Sequence, residues 1–404
     1  MQAECNLRIK KMKKQVLLYV VAALMTAALC LVQEACAKGN SGKEVAEPGL
    51  TAAECQKTAD SLKAEWLQEM KNQYEQSWYF RRISIDDLSM RLFYQFFGQK
   101  PADGWSLYIS LHGGGNAPEE LNDQQWRNQI RLYEPNNALY IAPRAPYNDW
   151  DLWFKPALDD FFRALIEMTV ALHDVNPDKV YLLGYSAGGD GVWRLAPRMA
   201  DTWAAASMMA GHPGDVSLLN LRNLPFMNWC GALDDAYNRN NENRLRGAEL
   251  DSLQQADSEG YIHETHIVEG KAHWMDQVDT AAISWMEKFR RNPYPERIVW
   301  RQEEVLHQHF YWISAPKDEL ARGKTVRLDR KGNTVNITQC DYSSLTLYFN
   351  DEMVNLDEPL TIQLGSKTLF QGTLPRTTAN LRATLRERRD YRYMFPAAVT
   401  VKMQ

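Results

Sequence analysis

Leu182-Leu183-Gly184-Tyr185-Ser186-Ala187-Gly188-Gly189 is the stretch whose reading decides the fold. An apolar, β-type run from Val180 to Leu183 leads directly into Gly184-Tyr185-Ser186-Ala187-Gly188, a G-x-S-x-G pentapeptide. That pattern describes a sharp strand-to-helix elbow with the serine at its tip in a strained backbone conformation. Gly184 and Gly188 leave room for the neighbouring strand and helix to pass close by. The Ser186 hydroxyl is then held out at the end of a sheet, faced by the N-terminal N–H groups of the following helix. The bland alternative is a glycine-rich turn with a chance serine. The strand ahead of the elbow and the motifs around it argue against that alternative.

Upstream, an apolar run from Ser106 ends in Leu111-His112-Gly113-Gly114-Gly115. A strand closing in H-G-G-G supplies backbone N–H groups that can turn inward without a Cβ clash. Gly113 and Gly114, with Ala187 after the serine, are the candidate donors to a developing oxyanion. Downstream, Phe226 to Cys230 reads as a strand, and Gly231-Ala232-Leu233-Asp234-Asp235 leaves its end. Ile262 to Val268 reads as the last core strand, followed by Gly270-Lys271-Ala272-His273-Trp274. Ser186, an aspartate and His273 therefore occur in the order nucleophile, acid, base. The G-x-x-D spacing favours Asp234 as the acid, with Asp235 the alternative. Of the eight histidines, His273 is singled out by chain order and by its turn.

These four motifs together resemble the α/β-hydrolase superfamily, over about residues 80–290. The nearest likeness is to secreted esterases, feruloyl esterases and polyhydroxybutyrate depolymerases, a group that overlaps with the catalytic domains of prolyl oligopeptidases. The resemblance implies a mostly parallel central sheet covered by helices on both faces. It also implies a serine hydrolase working through Ser186, Asp234 and His273 and needing no cofactor. No β-propeller precedes the motifs, a departure from prolyl oligopeptidases that weakens the peptidase alternative.

The rest of the chain fits that architecture. Thr58 to Phe80 has helical periodicity, with Leu62, Trp66, Met70 and Tyr74 on one stripe. Arg91 to Phe97, Ser106 to Leu111, Ala138 to Ile141 and Ala204 to Met209 read as strands. Leu158 to Val175 reads as an amphipathic helix stopped by Asn176-Pro177, and Gly191 to Ala200 continues the helix after the elbow. A further helix is expected over about Thr280 to Arg290. Alternation of strands and helices predicts a parallel sheet. The aromatic cluster Tyr147, Trp150, Trp153 and Phe154 either lines a substrate pocket or packs under a loop. Trp150 and Trp153, with Tyr185 and Trp274 beside the two reactive residues, are the candidate pocket side chains.

Beyond Asn292-Pro293-Tyr294-Pro295 the pattern changes to short strands at 326–328, 334–338, 345–349, 361–364 and 398–402, with one helix near Asn380 to Arg388. Residues 293–404 thus form a β-rich module, and 58–292 the catalytic region. The module either packs on the catalytic region or binds a polymeric substrate. Trp300, Phe310, Tyr311 and Trp312 at the junction favour packing.

Residues 1–37 read as a signal peptide. Arg8, Lys10, Lys11, Lys13 and Lys14 precede an apolar run from Val16 to Val32, and Ala35-Cys36-Ala37 offers a cleavage site. A retained anchor helix and lipidation at Cys36 are the alternatives. Residues 38–57 read as a linker. After cleavage Cys55, Cys230 and Cys340 remain, odd and scattered, so no disulfide framework is expected. No Cys/His cluster has metal-binding spacing. The net charge of −5 gives no footprint for nucleic acid or an anionic membrane. The expectation is an exported enzyme acting on a small-molecule or polysaccharide-linked ester. A peptide-bond substrate and a non-catalytic binding protein on the same fold are the competing readings.

Overall fold

Residue-by-residue alternation along the central strands sets the layering. The computed structural model describes residues 49–403. The expected signal peptide, the lipidation alternative at Cys36 and the linker up to residue 48 lie outside the described residues.

Helix α1 (Ala52–Tyr79) begins ahead of the expected Thr58, so the end of the expected linker is helical. The cause is local. Thr51 and Glu54 form a reciprocal capping box in which each side chain accepts from the other's backbone N–H. Leu62, Trp66, Met70 and Tyr74 make the buried stripe.

Next come β1 (Arg82–Ile85), β2 (Leu88–Phe97), β3 (Trp105–Leu111), α2 (Glu119–Gln129), β4 (Ala138–Arg144), α3 (Leu158–His173), β5 (Val175–Tyr185) and α4 (Ala187–Arg198). They are followed by β6 (Ala205–Met209), β7 (Phe226–Gly231), α5 (Arg239–Ala256), β8 (His263–Val268) and α6 (Ala281–Met286). These eight strands form one sheet in the order β1-β2-β4-β3-β5-β6-β7-β8. The first pairings, β1 with β2 and β2 with β4, are antiparallel, and all the rest are parallel. Leu107, Ile109, Val180 and Leu182 share a buried cluster with α1, α3 and α4. Tyr108, Tyr181, Leu183 and Tyr185 face the other way and cluster with Trp126 of α2 and Trp285 of α6. Both faces are covered, as a parallel sheet requires. This is the α/β-hydrolase fold.

One boundary differs from expectation. The helix before the elbow strand is not stopped by Asn176-Pro177. It ends at Asp174, which adopts the left-handed conformation at φ 58°, and Pro177 lies inside β5. A short polar side chain tolerates that conformation.

The C-terminal region contains β9 (Arg297–Arg301), β10 (His309–Phe310), β11 (Ile313–Ser314), β12 (Thr325–Lys331), β13 (Thr334–Cys340), β14 (Ser344–Phe349), β15 (Leu360–Leu364), β16 (Lys367–Gly372), α7 (Thr378–Arg388) and β17 (Ala397–Lys402). They make a five-stranded sheet, β16-β15-β13-β12-β9, and a four-stranded sheet, β10-β11-β14-β17. Their cores are continuous with the α1/α3/α4 face of the large sheet. Trp300, Phe310, Tyr311 and Trp312 are all buried. The Tyr311 hydroxyl donates to the Ala200 carbonyl, and Asn220 exchanges two hydrogen bonds with the Arg301 backbone. The junction aromatics are therefore packing residues and offer no face to a carbohydrate. By its contacts Gly49–Gln404 is one compact unit. Among the described residues no helix is long and apolar enough to cross a membrane.

Truncation after Asn292 would strip this cover from the catalytic region. The truncated protein is expected to aggregate or to melt well below the longer chain. A soluble truncation with an unchanged Tm, measured by differential scanning fluorimetry, would refute the packing role.

Candidate active site

Ser186 sits between β5 and α4 with φ 59° and ψ −122°, a strained conformation for a residue with a side chain. Its surroundings enforce it. A Cβ on Gly184 would lie 2.4 Å from the Gly188 carbonyl oxygen, and one on Gly188 would lie 2.1 Å from the Leu111 carbonyl oxygen. The ends of β3 and β5 and the start of α4 thus meet backbone to backbone. The Ser186 N–H donates to the Met209 carbonyl at 2.9 Å, which anchors the elbow to β6.

His273 and Asp234 are brought to the serine from two other strand ends. His273 Nε2 lies 2.9 Å from Ser186 Oγ, and His273 Nδ1 lies 2.8 Å from Asp234 Oδ2. Gly231 makes the second approach possible, since a Cβ there would sit 2.1 Å from the Ala272 carbonyl oxygen. Asp234 is 1% exposed, whereas Asp235 points to solvent and makes no contact with the imidazole. The Tyr185 hydroxyl donates to the His273 carbonyl at 2.6 Å and accepts the Met275 N–H, so it fixes the histidine loop. Burial of Asp234 opposes its ionisation. Hydrogen bonds from His273 and Arg239 outweigh that and hold the carboxyl below its usual range. With Asp234 ionised, Nδ1–H donates to it and Nε2 is free to accept the Ser186 proton.

Arg239, in the first turn of α5, was not visible as a site residue. Its Nε donates to Asp234 Oδ2 at 3.0 Å, and its Nη2 lies 3.1 Å from His273 Nδ1. The same carboxylate oxygen is therefore shared by the imidazole and the guanidinium. The surrounding sequence, Asn238 to Arg246, is polar and gave no periodic signal.

The glycine loop after β3 is tied at both ends. The His112 imidazole is fully buried, with Nδ1 2.6 Å from the Gly113 carbonyl oxygen. Its Nε2 accepts the Ala145 N–H at 3.2 Å, which makes Nδ1 the donor. Across the planar trans peptide, the Gly114 N–H points away from that ring. The Gly115 N–H donates to the buried Asn122 side chain at 2.8 Å. Gly114 and Gly115 have φ of 104° and 81°, which suits glycine. Gly113 packs against Ser186, since a Cβ on it would be 3.1 Å from the serine Cβ. Ala187, the first residue of α4, has no carbonyl within its helix to receive its N–H.

Two lobes open at Ser186. One, of about 880 Å³, runs along α2 and is lined by Gly113, Gln125, Tyr185, His273 and Trp274. The other, of about 440 Å³, is lined by Trp150, Phe154, Arg194, His212, Tyr237 and Arg239. Trp150 is 63% exposed and Trp274 is half-exposed, so both form the rim. Trp153 lines neither lobe. It is 0% exposed and its indole N–H donates to the His112 carbonyl at 2.8 Å. Its expected pocket role is corrected: it props the glycine loop from behind.

No family model matches the chain. NocK of Nocardia uniformis subsp. tsuyamanensis, whose name provisionally assigns it as an esterase, is 31% identical over 117 residues, covering 27% of this chain and 33% of that protein. The chain thus spans about a third of that relative's length. Among solved structures, a thermostable esterase aligns at 17% identity and TM-score 0.39, over 52% of this chain and 62% of its own. A carboxylesterase from Mesorhizobium loti aligns at 19% identity and TM-score 0.34, over 51% of this chain and 98% of its own. These structural likenesses are too weak to carry the fold, which rests on the strand order and the elbow.

Burial drives the His112 pKa down to about 3, so the ring stays neutral where an unfolded chain takes up a proton near pH 6.5. Burial likewise lowers His173 to about 4 and, with help from Arg388 and Arg163, His309 to about 3. In each case the unfolded state binds the extra proton, so stability falls as pH drops below about 6.5. His112→Asn should make the slope of stability against pH shallower by about one proton between roughly pH 6.5 and 5. Urea denaturation at several pH values checks this, and an unchanged slope would contradict the buried neutral ring.

Proposed function

We propose that the chain is a serine hydrolase that cleaves carboxylic esters. The observation that carries this reading is the hydrogen-bonded series Ser186–His273–Asp234, with links of 2.9 Å and 2.8 Å. In the proposed reaction His273 takes the Ser186 proton as Oγ attacks the ester carbonyl. Asp234 stabilises the imidazolium and holds its tautomer. The N–H groups of Gly113, Gly114 and Ala187 receive the developing oxyanion. His273 then protonates the leaving alcohol, an acyl-enzyme remains on Ser186, and water activated by the same imidazole releases the acid.

The esterase name of NocK supports the ester reading. The two lobes on either side of Ser186 offer separate space for the acyl and alcohol parts. The exposed aromatic rings of Trp150, Tyr237 and Trp274 suit a sugar or an aryl acid, which stack on such faces. The basic and apolar leader ending in Ala35-Cys36-Ala37 supports export, and with it an extracellular or periplasmic ester as substrate.

Ser186→Ala should lower kcat by roughly 10⁴-fold while preserving the circular-dichroism spectrum and Tm. A fluorophosphonate probe should label the wild type and leave Ser186→Ala unlabelled. Wild-type turnover by that variant would sink the serine mechanism. Asp234→Asn should lower kcat by about 10⁴-fold and Asp235→Asn far less; the reverse ranking would move the acid by one position. Arg239→Gln should reduce kcat/KM by roughly 10- to 100-fold through loss of alignment of the Asp234 carboxylate. A parallel panel of aryl, acetyl-sugar and peptide substrates separates ester from peptide-bond cleavage.

A further inference from the structure

We infer that a cavity between α3 and the C-terminal helix α7 is a binding site for a small oxyanion such as phosphate, sulfate or a carboxylate. The cavity measures about 60 Å³ and shares no lining residue with either lobe at Ser186. Four arginines line it: Arg163, Arg291, Arg388 and Arg389.

Two of the four are already neutralised. Arg291 pairs with Asp178 at 2.8 Å and with Asp390 at 2.7 Å. Arg389 grips Glu167 at 2.6 and 2.7 Å. Arg388 is different. It is only 8% exposed, and its Nη1 and Nη2 are buried with no hydrogen-bond partner among the described residues. Its guanidinium lies over the Tyr393 ring, 5.0 Å from the centroid, which cannot replace a counter-ion. Arg163 likewise makes no ion pair among the described residues. Asp201 also lines the cavity, but its Oδ2 accepts the Tyr311 N–H at 3.2 Å and it forms no ion pair with Arg388.

A guanidinium stays charged at every working pH, so Arg388 cannot escape burial by losing its proton. An unpaired buried charge is among the most unfavourable features a fold can carry. Water could meet the N–H groups, yet it would leave the charge in place. An oxyanion meets both needs, because the planar guanidinium fork matches two oxygens of a carboxylate or phosphate. The size agrees. A cavity needs about 10–15 Å³ per water on this measure, so this one holds roughly four waters or one small oxyanion. A sugar or nucleotide would not fit. A bound anion would join Arg163 of α3 to Arg388 of α7, and so tie the C-terminal region to the catalytic sheet.

The test uses the full chain in a chloride buffer of constant ionic strength, titrated with sodium phosphate, sodium sulfate or sodium acetate. Calorimetry should give one-site, saturable binding of at least one of the three, and Tm should rise to a plateau. The order of affinity among the three salts separates a tetrahedral from a planar occupant. Arg388→Met should weaken binding by about tenfold or more, the scale of one charge-assisted hydrogen bond, and remove the Tm plateau. Should that variant fail to fold, Arg163→Gln carries the same expectation. Absence of saturable heat for all three salts would overturn the site. So would a Tm rise that is linear in salt and equal in wild type and variant.

Discussion

The contact between the Leu111 carbonyl oxygen and the α-carbon of Gly188 is the constraint on which the site depends. No side chain fits between them, so the end of β3, the end of β5 and the start of α4 are locked at backbone distance. That one approach aims the Ser186 hydroxyl and seats the glycine loop beside it. Gly231 repeats the device on the other side of the site, where its α-carbon meets the Ala272 carbonyl and sets Asp234 against His273. The spacing of Ser186, His273 and Asp234 is thereby fixed by main chain, which moves less than side chains do. The strain at Ser186 is held by the same contacts.

Around this centre the polar support is mostly neutral and buried. His112, Asn122 and Trp153 hold the glycine loop through hydrogen bonds from uncharged side chains. On the acid side Arg239 shares Asp234 with His273. The loop is thus held by a buried ring that burial keeps neutral.

The motifs that were readable in the sequence are those in which backbone geometry leaves no choice of residue. G-x-S-x-G, H-G-G-G and the glycine before Asp234 all mark places where a Cβ would collide, and each fell where expected. The central strands β3, β4, β6 and β7 were readable because both of their faces are buried, whereas the short, half-exposed edge strand β1 gave no apolar run to read. What escaped has a physical cause as well. Helix α2 and helix α5 are polar surface helices with few buried positions, so no apolar period announced them. Asn122 and Arg239 came from those helices and were missed with them. Trp150 and Trp153 lie within one loop, and composition cannot tell which ring faces the cleft and which supports the loop. The start of α1 was missed because a capping box depends on the exchange between Thr51 and Glu54, not on hydrophobicity.

The two ends of the described chain complete a single core. The Leu50 N–H donates to the Arg376 carbonyl, Trp66 of α1 meets Tyr391 edge-on, and Tyr74 and Arg389 share the Glu167 carboxylate. Helix α1 docks chiefly on α3 and β1, which follow it early in the chain, and it gains Tyr391 and Arg389 only from the far C-terminal segment. Synthesis in chain order therefore seats the apolar stripe of α1 on α3 first and clamps it from the opposite end of the sequence afterwards.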